Sequence, residues 1–333
     1  MILVTGGTGL VGAHLLYHLV MEHPKVRAIH RTSSDLNAVK KVFFYYTKEG
    51  ETLFQKIEWV TANITEIPAL THAFEGVTHV YHAAAYISFN PKHYPALKKA
   101  NVEGTANVVN LCLAHKVKKL CYVSSIATLG KAEEGNLINE ETPWNPEAPN
   151  SVYSITKYGA EMEVWRGTQE GLDAVMVNPG VILGEGFWHS GSGALLMRAA
   201  KGMTYYTEGS TGFVDVQDVV KAMIQLMNSP IKNESFVLVG KNLGYRDFFT
   251  AFAEAFGVKP PFKQASKGLL QFLSTLDAIS HTLFGTKRRL LKSMVRSMFT
   301  HSTYDASKIE TTLSFRFTPF EETVSRIVKH YKG

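Results

Sequence analysis

The sequence predicts an α/β protein with a doubly wound parallel sheet, and two observations carry this prediction. Short apolar runs that suit buried strands alternate with longer segments of helical periodicity, as in consecutive βαβ units. The first run, residues 2–5, breaks into glycines spaced three apart and passes straight into a helical pattern. With 333 residues, of which 45% are hydrophobic, the chain can form one large domain or two closely packed ones.

The glycines Gly6, Gly9 and Gly12 are typical of a turn that binds a dinucleotide. They allow a tight turn, a close approach of the backbone to a pyrophosphate, and N–H groups at the helix start that face the anion. The motif gains weight because a strand-like run precedes it and a helix follows. We expect a Rossmann dinucleotide-binding domain over residues 1–178, to which residues 213–239 return. A smaller, mostly helical substrate-binding portion is expected over residues 179–333.

The second predicted strand, Val26–Arg31, ends about 20 residues after the glycine turn, where the adenosine ribose is expected. An acidic residue there would indicate a free 2′-hydroxyl, but the chain has Arg31, followed by the hydroxyl residues Thr32–Ser34. A cation and hydroxyls suit a 2′-phosphate, so the sequence favours NADP. Two alternatives stay open: Asp35 reads the ribose of NAD, or Arg31 is a solvated loop residue.

Further strands are predicted at residues 57–60, 78–85, 119–123, 173–180 and 235–240. Helices are predicted from about Pro95 to Lys116, from Tyr153 to about Gly167, and from Phe213 to near Met227. Residues 129–152 are rich in Gly, Pro, Asn and Glu, which predicts a long loop over the site. Ligands of such sheets bind outside the carboxyl ends of the strands, so the functional residues should lie there.

Tyr153 and Lys157 are four residues apart at the start of a predicted helix and therefore share one face. A tyrosine hydroxyl titrates near ~10, and a neighbouring ammonium group favours its ionised form. Such a pair is common in proteins. Here it follows a dinucleotide motif and a fifth strand that ends in Ser124 and Ser125, so it is a candidate for proton transfer.

The sequence contains six motifs, TGGTGLVG at Thr5–Gly12, HAAA at His82–Ala85, NVEGT at Asn101–Thr105, YVSS at Tyr122–Ser125, YSITK at Tyr153–Lys157 and NPG at Asn178–Gly180. Taken together, they resemble the extended short-chain dehydrogenase/reductase superfamily, the NAD-dependent epimerase/dehydratase family. The segments VNPGVILGEG and GFVDVQDVV are most similar to its dihydroflavonol 4-reductase and 3β-hydroxysteroid dehydrogenase-like branch.

The resemblance implies an oxidoreductase that transfers a hydride between NAD(P) and a carbonyl or secondary alcohol. It implies that Tyr153 is the acid/base and that Lys157 lowers its pKa and holds the nicotinamide ribose. It also implies that Ser125 hydrogen-bonds the substrate and that Asn101 supports a proton relay. Asn63 departs from the aspartate that is usual at its place. The expected cofactor-binding residues are Gly6, Thr8, Gly9, Leu10, Val11, Gly12, Arg31, Asn63, Ile64, Ala83, Ala84, Tyr153, Lys157 and Pro179.

Two other functions stay open. A nucleotide-sugar epimerase needs a diphosphate clamp, and the first basic residues after Asn178 are Arg198 and Lys201. A non-enzymatic NADP-sensing regulator could use the same fold, although such proteins can lose the Tyr–Lys pair that this chain keeps. A dehydratase is disfavoured because Ile126 and Ala127 stand where an acidic pair is expected.

Composition bounds the compartment and the partners. Cys112 and Cys121 lie in apolar surroundings without metal-ligand spacing, which predicts buried thiols in a cytoplasmic protein and no metal site. The first strand begins at Met1, so no signal peptide is expected. The net charge is +6, and the densest basic segment, residues 287–296, favours a solvated helix face. Contact with an anionic membrane is a less favoured alternative, and nucleic acid is not an expected partner.

A homodimer is expected, as in much of the superfamily. The two helices near residues 95–116 and after Tyr153 would pack against their symmetry mates, because they carry more apolar residues than one sheet face requires. These residues are Val102, Val108, Val109, Cys112, Met162, Val164 and Trp165.

Overall fold

A computed structural model describes residues 1–131, 136–284, 288 and 290–331. Its strands are β1 Ile2–Thr5, β2 Val26–His30, β3 Ile57–Thr61, β4 His79–His82, β5 Lys119–Val123, β6 Ala174–Pro179, β7 Val181–Leu183, β8 Tyr205–Tyr206, β9 Ser210–Asp215, β10 Glu234–Leu238, β11 Lys241–Gly244 and β12 Lys263–Gln264.

The helices are α1 Leu10–Glu22, α2 Leu36–Tyr46, α3 Gly50–Phe54, α4 Ile67–Ala73, α5 Tyr94–Leu97, α6 Gly104–Ala114, α7 Val152–Gln169, α8 Gly193–Ala200, α9 Val216–Asn228, α10 Tyr245–Ala255, α11 Lys267–Phe284, α12 Lys292–Ser297, α13 Ser307–Leu313 and α14 Phe320–His330. Short 3₁₀ turns cover Pro91–His93 and Ile126–Thr128, and a π-helical segment, Lys98–Glu103, joins α5 to α6. None of the described helices combines the length and the hydropathy that a membrane span requires.

The central sheet has seven strands in the order β10-β6-β5-β4-β1-β2-β3, and every pair in it is parallel. The chain builds outward from β1 to β2 and β3, then crosses back to β4 and continues to the other edge. The order therefore reverses between β1 and β4, which is where a doubly wound sheet forms its ligand crevice. Thr5 and His82 are register partners, so the two strands end level with each other. This confirms the predicted fold class.

The core lies on both faces of this sheet. Leu3 and Val4 are neighbours in β1, yet they belong to two different apolar clusters because successive strand residues point to opposite faces. One cluster receives α1, α2 and α9, and the other receives α4, α6 and α7. Burial on both faces explains why the strands are near-continuous apolar runs in the sequence.

The C-terminal portion contains two small sheets besides its helices, β11-β9-β7 and β12-β8. The prediction that a helix opens at Phe213 was wrong by three residues, because Phe213 still belongs to β9. Asp215 ends that strand and caps α9 by accepting a hydrogen bond from the backbone N–H of Gln217 at 2.8 Å. β10 pairs with β6, so the chain returns to the large sheet after leaving it at Pro179. The division at residue 178 stays a prediction.

Two predicted segments fall partly outside the described residues. Positions 132–135 belong to the predicted long loop, and Lys287 and Arg289 belong to the basic segment. Within the loop, Ile138 forms a parallel bridge with Tyr304, which fastens this part of the loop to the C-terminal portion.

Candidate active site

The three glycines of the β1–α1 turn have different surroundings. Gly6 has a φ of +72°, and a Cβ there would lie 2.5 Å from the backbone nitrogen of Ala84, so no other residue fits. A Cβ at Gly12 would collide with the carbonyl oxygen of Gly6. Gly9 is exposed, and a Cβ there would meet only that carbonyl, at 3.5 Å. The protein itself thus requires Gly6 and Gly12, and the open side of Gly9 suits the close approach of a ligand.

The start of α1 is suited to an anion. Its N-cap residue, Gly9, offers no side-chain hydrogen bond, and the first turn holds no acidic residue. The N–H groups of Leu10, Val11 and Gly12 are therefore left without an intrahelical acceptor at the positive end of the helix dipole. The residues present fit the diphosphate of a dinucleotide, as the sequence predicts.

Arg31 lies on an exposed loop beside the glycine turn. Its backbone N–H donates to Ser34 Oγ at 3.1 Å, and Thr8 Oγ1 donates to the same oxygen at 3.4 Å. Within the described part of the chain, the Arg31 side chain forms no ion pair. Its guanidinium group is thus available to a ligand held at the turn.

Asp35, the alternative residue for contact with the ribose, caps a helix in the structure. Its Oδ1 accepts hydrogen bonds from the backbone N–H groups of Asn37 at 2.9 Å and Ala38 at 3.2 Å, which makes Asp35 the N-cap of α2. A carboxylate used in this way is directed at the helix start. Among the described residues, nothing comparable occupies the Arg31 side chain.

The other predicted cofactor residues line the same edge of the sheet. Ala83 and Ala84 follow β4 and lie directly behind Gly6. Asn63 follows β3, and its side chain accepts from the backbone N–H of Thr65 at 3.3 Å. The remaining positions are Ile64, which is buried and whose carbonyl accepts from Asn107 at 2.9 Å, and Pro179, which is buried at the end of β6.

Tyr153 and Ser125 come together at the end of β5. Tyr153 lies in the first turn of α7, which Ser151 caps by accepting from the Ser154 N–H at 3.0 Å. Burial raises the pKa of Tyr153 to about 12, and a hydrogen bond with Ser125 opposes that rise. The ring of Phe89 packs against Tyr153 with 5.6 Å between ring centroids. A substrate oxygen placed here can reach both hydroxyl groups.

Lys157 is fully buried one turn further along α7. Its Nζ donates to the Tyr122 hydroxyl at 2.5 Å and to the Val123 carbonyl at 2.8 Å. An ammonium group has three donors, so these bonds leave one for a ligand. Burial lowers the pKa of Lys157 to about 7, and the charge of Glu161 opposes this effect. Lys157 thus changes its charge close to neutral pH.

Glu161 was not among the predicted site residues. It is buried, and its Oε2 accepts from Ser124 Oγ at 2.5 Å, Thr128 Oγ1 at 2.8 Å and Asn178 Nδ2 at 3.1 Å. These three donors follow or end the strands β5 and β6, so the carboxylate fastens α7 to the carboxyl edge of the sheet.

A signal for Glu161 exists in the sequence. Tyr153, Lys157 and Glu161 are spaced four apart and therefore form one stripe on α7. Extending the Tyr–Lys pattern by one turn would have identified the acidic residue. Its burial and its partners, however, come from tertiary packing.

Asn101 lies in the π-helical segment between α5 and α6, a feature that often marks functional sites. Its Oδ1 accepts from the Tyr86 N–H at 2.7 Å, and its Nδ2 donates to the Tyr86 carbonyl at 3.0 Å and to Thr156 Oγ1 at 3.1 Å. Asn101 thus ties the loop after β4 to α7. Its part in a proton relay stays a prediction.

This fold and site define a dinucleotide-dependent oxidoreductase of the short-chain type. The family model described as "NAD dependent epimerase/dehydratase family" matches residues 2–240, and the chain belongs to that family. The match confirms the resemblance to the extended short-chain dehydrogenase/reductase superfamily.

Two relatives and one solved structure show what the chain is similar to. A protein of Synechocystis sp. provisionally named dihydroflavonol 4-reductase is 30% identical over 220 residues, which are 65% of this chain and 60% of that protein. The chain thus spans less than two thirds of this relative. The 3beta-hydroxysteroid-dehydrogenase/decarboxylase isoform 1 of Arabidopsis thaliana is 25% identical over 351 residues, 98% of this chain and 79% of that protein.

The structure of UDP-glucose 4-epimerase from Thermus thermophilus, solved with NAD, has a TM-score of 0.74 and 20% identity and covers 99% of this chain and 98% of the other. This likeness shows the fold. The family and the named relatives confirm an NAD(P)-dependent oxidoreductase, and the epimerase alternative is not better supported.

Proposed function

We propose that this protein uses NADP(H) to interconvert an apolar ketone and its secondary alcohol, with Tyr153 as the group that gives and takes the proton. The observation that carries the proposal is that Tyr153 meets Ser125 at the end of β5, with the buried Lys157 one turn further along α7. The three groups lie at the carboxyl edge of the sheet, where the predicted cofactor-binding residues also lie.

In this mechanism the nicotinamide supplies or accepts the hydride, and the chain's own residues do the rest. Ser125 orients the substrate oxygen. Since burial raises the pKa of Tyr153 to about 12, its hydroxyl is protonated at neutral pH, the state that donates to a carbonyl oxygen. Lys157, when charged, stabilises the tyrosinate that remains. These states suit the transfer of a proton to a ketone oxygen at neutral pH.

The apolar nature of the substrate is supported by the loop after β4. Tyr86, Ile87 and Phe89 expose 38%, 57% and 42% of their surface, and Phe89 packs on Tyr153. The sequence has no charged residue from Ala85 to Pro91, which suits a ring system better than a sugar diphosphate. The names of the two relatives point to the same class of compound, since dihydroflavonols and hydroxysteroids are both hydroxylated compounds with fused rings.

The preference for NADP is supported by the contrast between Arg31 and Asp35. Arg31 is exposed beside the turn, whereas Asp35 caps α2. A 2′-phosphate would meet a cation and the nearby hydroxyl groups there.

The homodimer and the cytoplasmic location also stay proposals. Four residues that motivated the dimer, Val108, Val109, Cys112 and Val164, are buried in the protomer's own core, so the expected surface is smaller. Met162 remains 37% exposed on α7 and is the natural contact to test by light scattering. Both cysteines are free and buried, which suits a reducing compartment.

The test offers NADPH or NADH with steroid ketones, flavonoid ketones and a nucleotide sugar, and follows the consumption of cofactor. We expect NADPH to be consumed with at least one ring ketone, and Lys157→Ala to weaken both cofactor binding and turnover. Conversion of the nucleotide sugar without net cofactor consumption would instead establish an epimerase. Tight NADPH binding without any turnover would favour the sensor.

A further inference from the structure

Helix α11 exposes apolar side chains and buries a polar one, which is the reverse of the usual arrangement for a helix on the surface of a water-soluble domain. Its apolar side chains Leu269, Phe272, Leu273, Leu276 and Ile279 are 51%, 60%, 42%, 45% and 48% exposed. Ser274 of the same helix is fully buried and donates a hydrogen bond to the Leu290 carbonyl at 2.9 Å. A polar residue thus faces the protein, while large apolar residues face outward.

The helical geometry shows that this is one continuous stripe. At 3.6 residues per turn, the five apolar residues fall within an arc of about 120°, and Ser274 lies about 160° from the centre of that arc. An amphipathic surface helix has the opposite arrangement, because its apolar face covers the core. Contiguous exposed apolar patches of this kind mark interaction sites.

The charge of the chain is concentrated in the same segment. Residues 263–300 contain seven Lys and Arg residues and one acidic residue, Asp277. The whole chain has 35 basic and 29 acidic residues, so the remainder holds 28 of each and carries no net charge. The entire formal charge of +6 therefore belongs to the segment that exposes the apolar stripe.

Three of these cations lie close to one another in a single groove. Lys267, Lys292 and Arg296 line a groove of about 370 Å³ between α11 and α12, together with Gln271 and Thr275. All three are exposed, and none forms an ion pair with any residue the structure describes. Arg296 donates a hydrogen bond at 3.1 Å to the carbonyl of Pro149, which lies in the loop that leads into α7.

We propose that α11 rests on the surface of an anionic phospholipid membrane. The stripe lies at the boundary between head groups and acyl chains, and the three groove cations, on the polar side of α11, add a longer-range attraction to the anionic surface. The combination of a Leu/Phe/Ile stripe with unpaired Lys and Arg matches an interfacial helix, which gains affinity from both apolar burial and anionic lipid. Nucleic acid would use the cations and leave the stripe uncovered.

The experiment sediments the full-length protein with vesicles of phosphatidylcholine, alone or mixed with phosphatidylglycerol. We expect binding to the mixed vesicles that weakens as salt is raised, since the groove cations are exposed. Lys267→Gln with Lys292→Gln should weaken it by up to about fivefold for each cation, because the attraction falls off within a Debye length of the surface. Phe272→Ser with Leu276→Ser should weaken it by roughly tenfold for each side chain.

A matched control removes one exposed apolar residue and one exposed cation elsewhere. Met21→Ser with Lys41→Gln, on α1 and α2, should bind vesicles as the unmodified protein does. Circular dichroism and NADPH binding report whether each variant is folded. Because every altered side chain is exposed, we expect all variants to keep both.

Three results would overturn the proposal. The first is no sedimentation with either vesicle. The second is equal binding to both vesicles with no dependence on salt, which would remove the role of the cations. The third is a dimer, seen by light scattering, that the Phe272→Ser and Leu276→Ser variant alone disrupts, because the stripe would then be a contact between copies.

Discussion

Two buried charge clusters in this protein are built from similar groups and behave differently. Under the active site, Lys157 meets a hydroxyl and a carbonyl, and Glu161 is its nearby counter-charge. At the C-terminal helix, Arg326 donates to both oxygens of Glu185 at 2.6 Å and to Asp215 at 2.5 Å. The first cation has neutral partners in direct contact, and the second has two carboxylates.

The two cations consequently hold their protons to different degrees. Burial lowers the pKa of Lys157 to about 7. Burial also acts against the charge of Arg326, but Asp215 and Glu185 outweigh it and raise the pKa of Arg326. A guanidinium group keeps its charge throughout the working range, whereas a buried lysine can lose it. The comparison separates a cation that fastens the fold from one that can take part in proton chemistry.

The largest expected effect is on stability, and it concerns the buried cluster of Arg326, Glu185 and Asp215. Arg326→Met would leave two buried carboxylates without their cation, and we expect the free energy of unfolding to fall by about 3–5 kcal/mol. Urea unfolding measures this loss. Lys329→Met, an exposed change on the same helix, is the control and should alter stability little. An Arg326→Met variant as stable as the control would mean that the cluster does not hold α14 in place.

Arg31 extends the comparison of the two buried cations to an exposed one. Arg31→Ala removes a charge-assisted hydrogen bond worth roughly 1.5–3 kcal/mol, so the Kd for NADPH should rise by about tenfold to a hundredfold. The Kd for NADH should hardly change, and high salt should reduce the difference. Calorimetric titration measures both, with Arg316→Ala as an exposed control. Equal affinities for the two cofactors in the unmodified protein would contradict the NADP proposal.

The smallest expected effect is on the charge of Lys157. Glu161→Gln keeps an amide oxygen that can accept the same hydrogen bonds but removes the charge that raises the pKa of Lys157. Lys157 is charged below its pKa and neutral above it, so the variant should lose activity at a lower pH than the unmodified protein. At neutral pH we expect kcat/KM to fall by roughly tenfold, the effect of about 1.4 kcal/mol.

The pH dependence distinguishes this electrostatic role from a structural one. Activity of the Glu161→Gln variant should recover relative to the unmodified enzyme as the pH is lowered. Glu163→Gln, whose parent side chain pairs with Arg166 on the surface of the same helix, should leave the pH profile unchanged. A loss in Glu161→Gln that is equal at every pH would argue against control of the Lys157 charge.

The sequence predicts the parts of this protein that depend on local spacing. The glycine turn and the Tyr153–Lys157 pair are set by residue type and helical period, and the structure places them at one edge of the sheet. The capping role of Asp35 was missed because a ribose contact and a helix cap need the same residue type. The orientation of α11 and the partners of Glu161 depend on what packs beside them, which no local pattern records.

The most direct test of the central claim follows the hydride itself. NADPH carrying deuterium at the reactive carbon of the nicotinamide is incubated with the ketone that the panel identifies, and the product is analysed by mass spectrometry. We expect deuterium on the new alcohol carbon with the unmodified enzyme, and a rate about 10²–10⁴-fold lower with Tyr153→Phe, which should still bind NADPH. Near-normal deuterium transfer by folded Tyr153→Phe would contradict the assignment of Tyr153 as the proton donor.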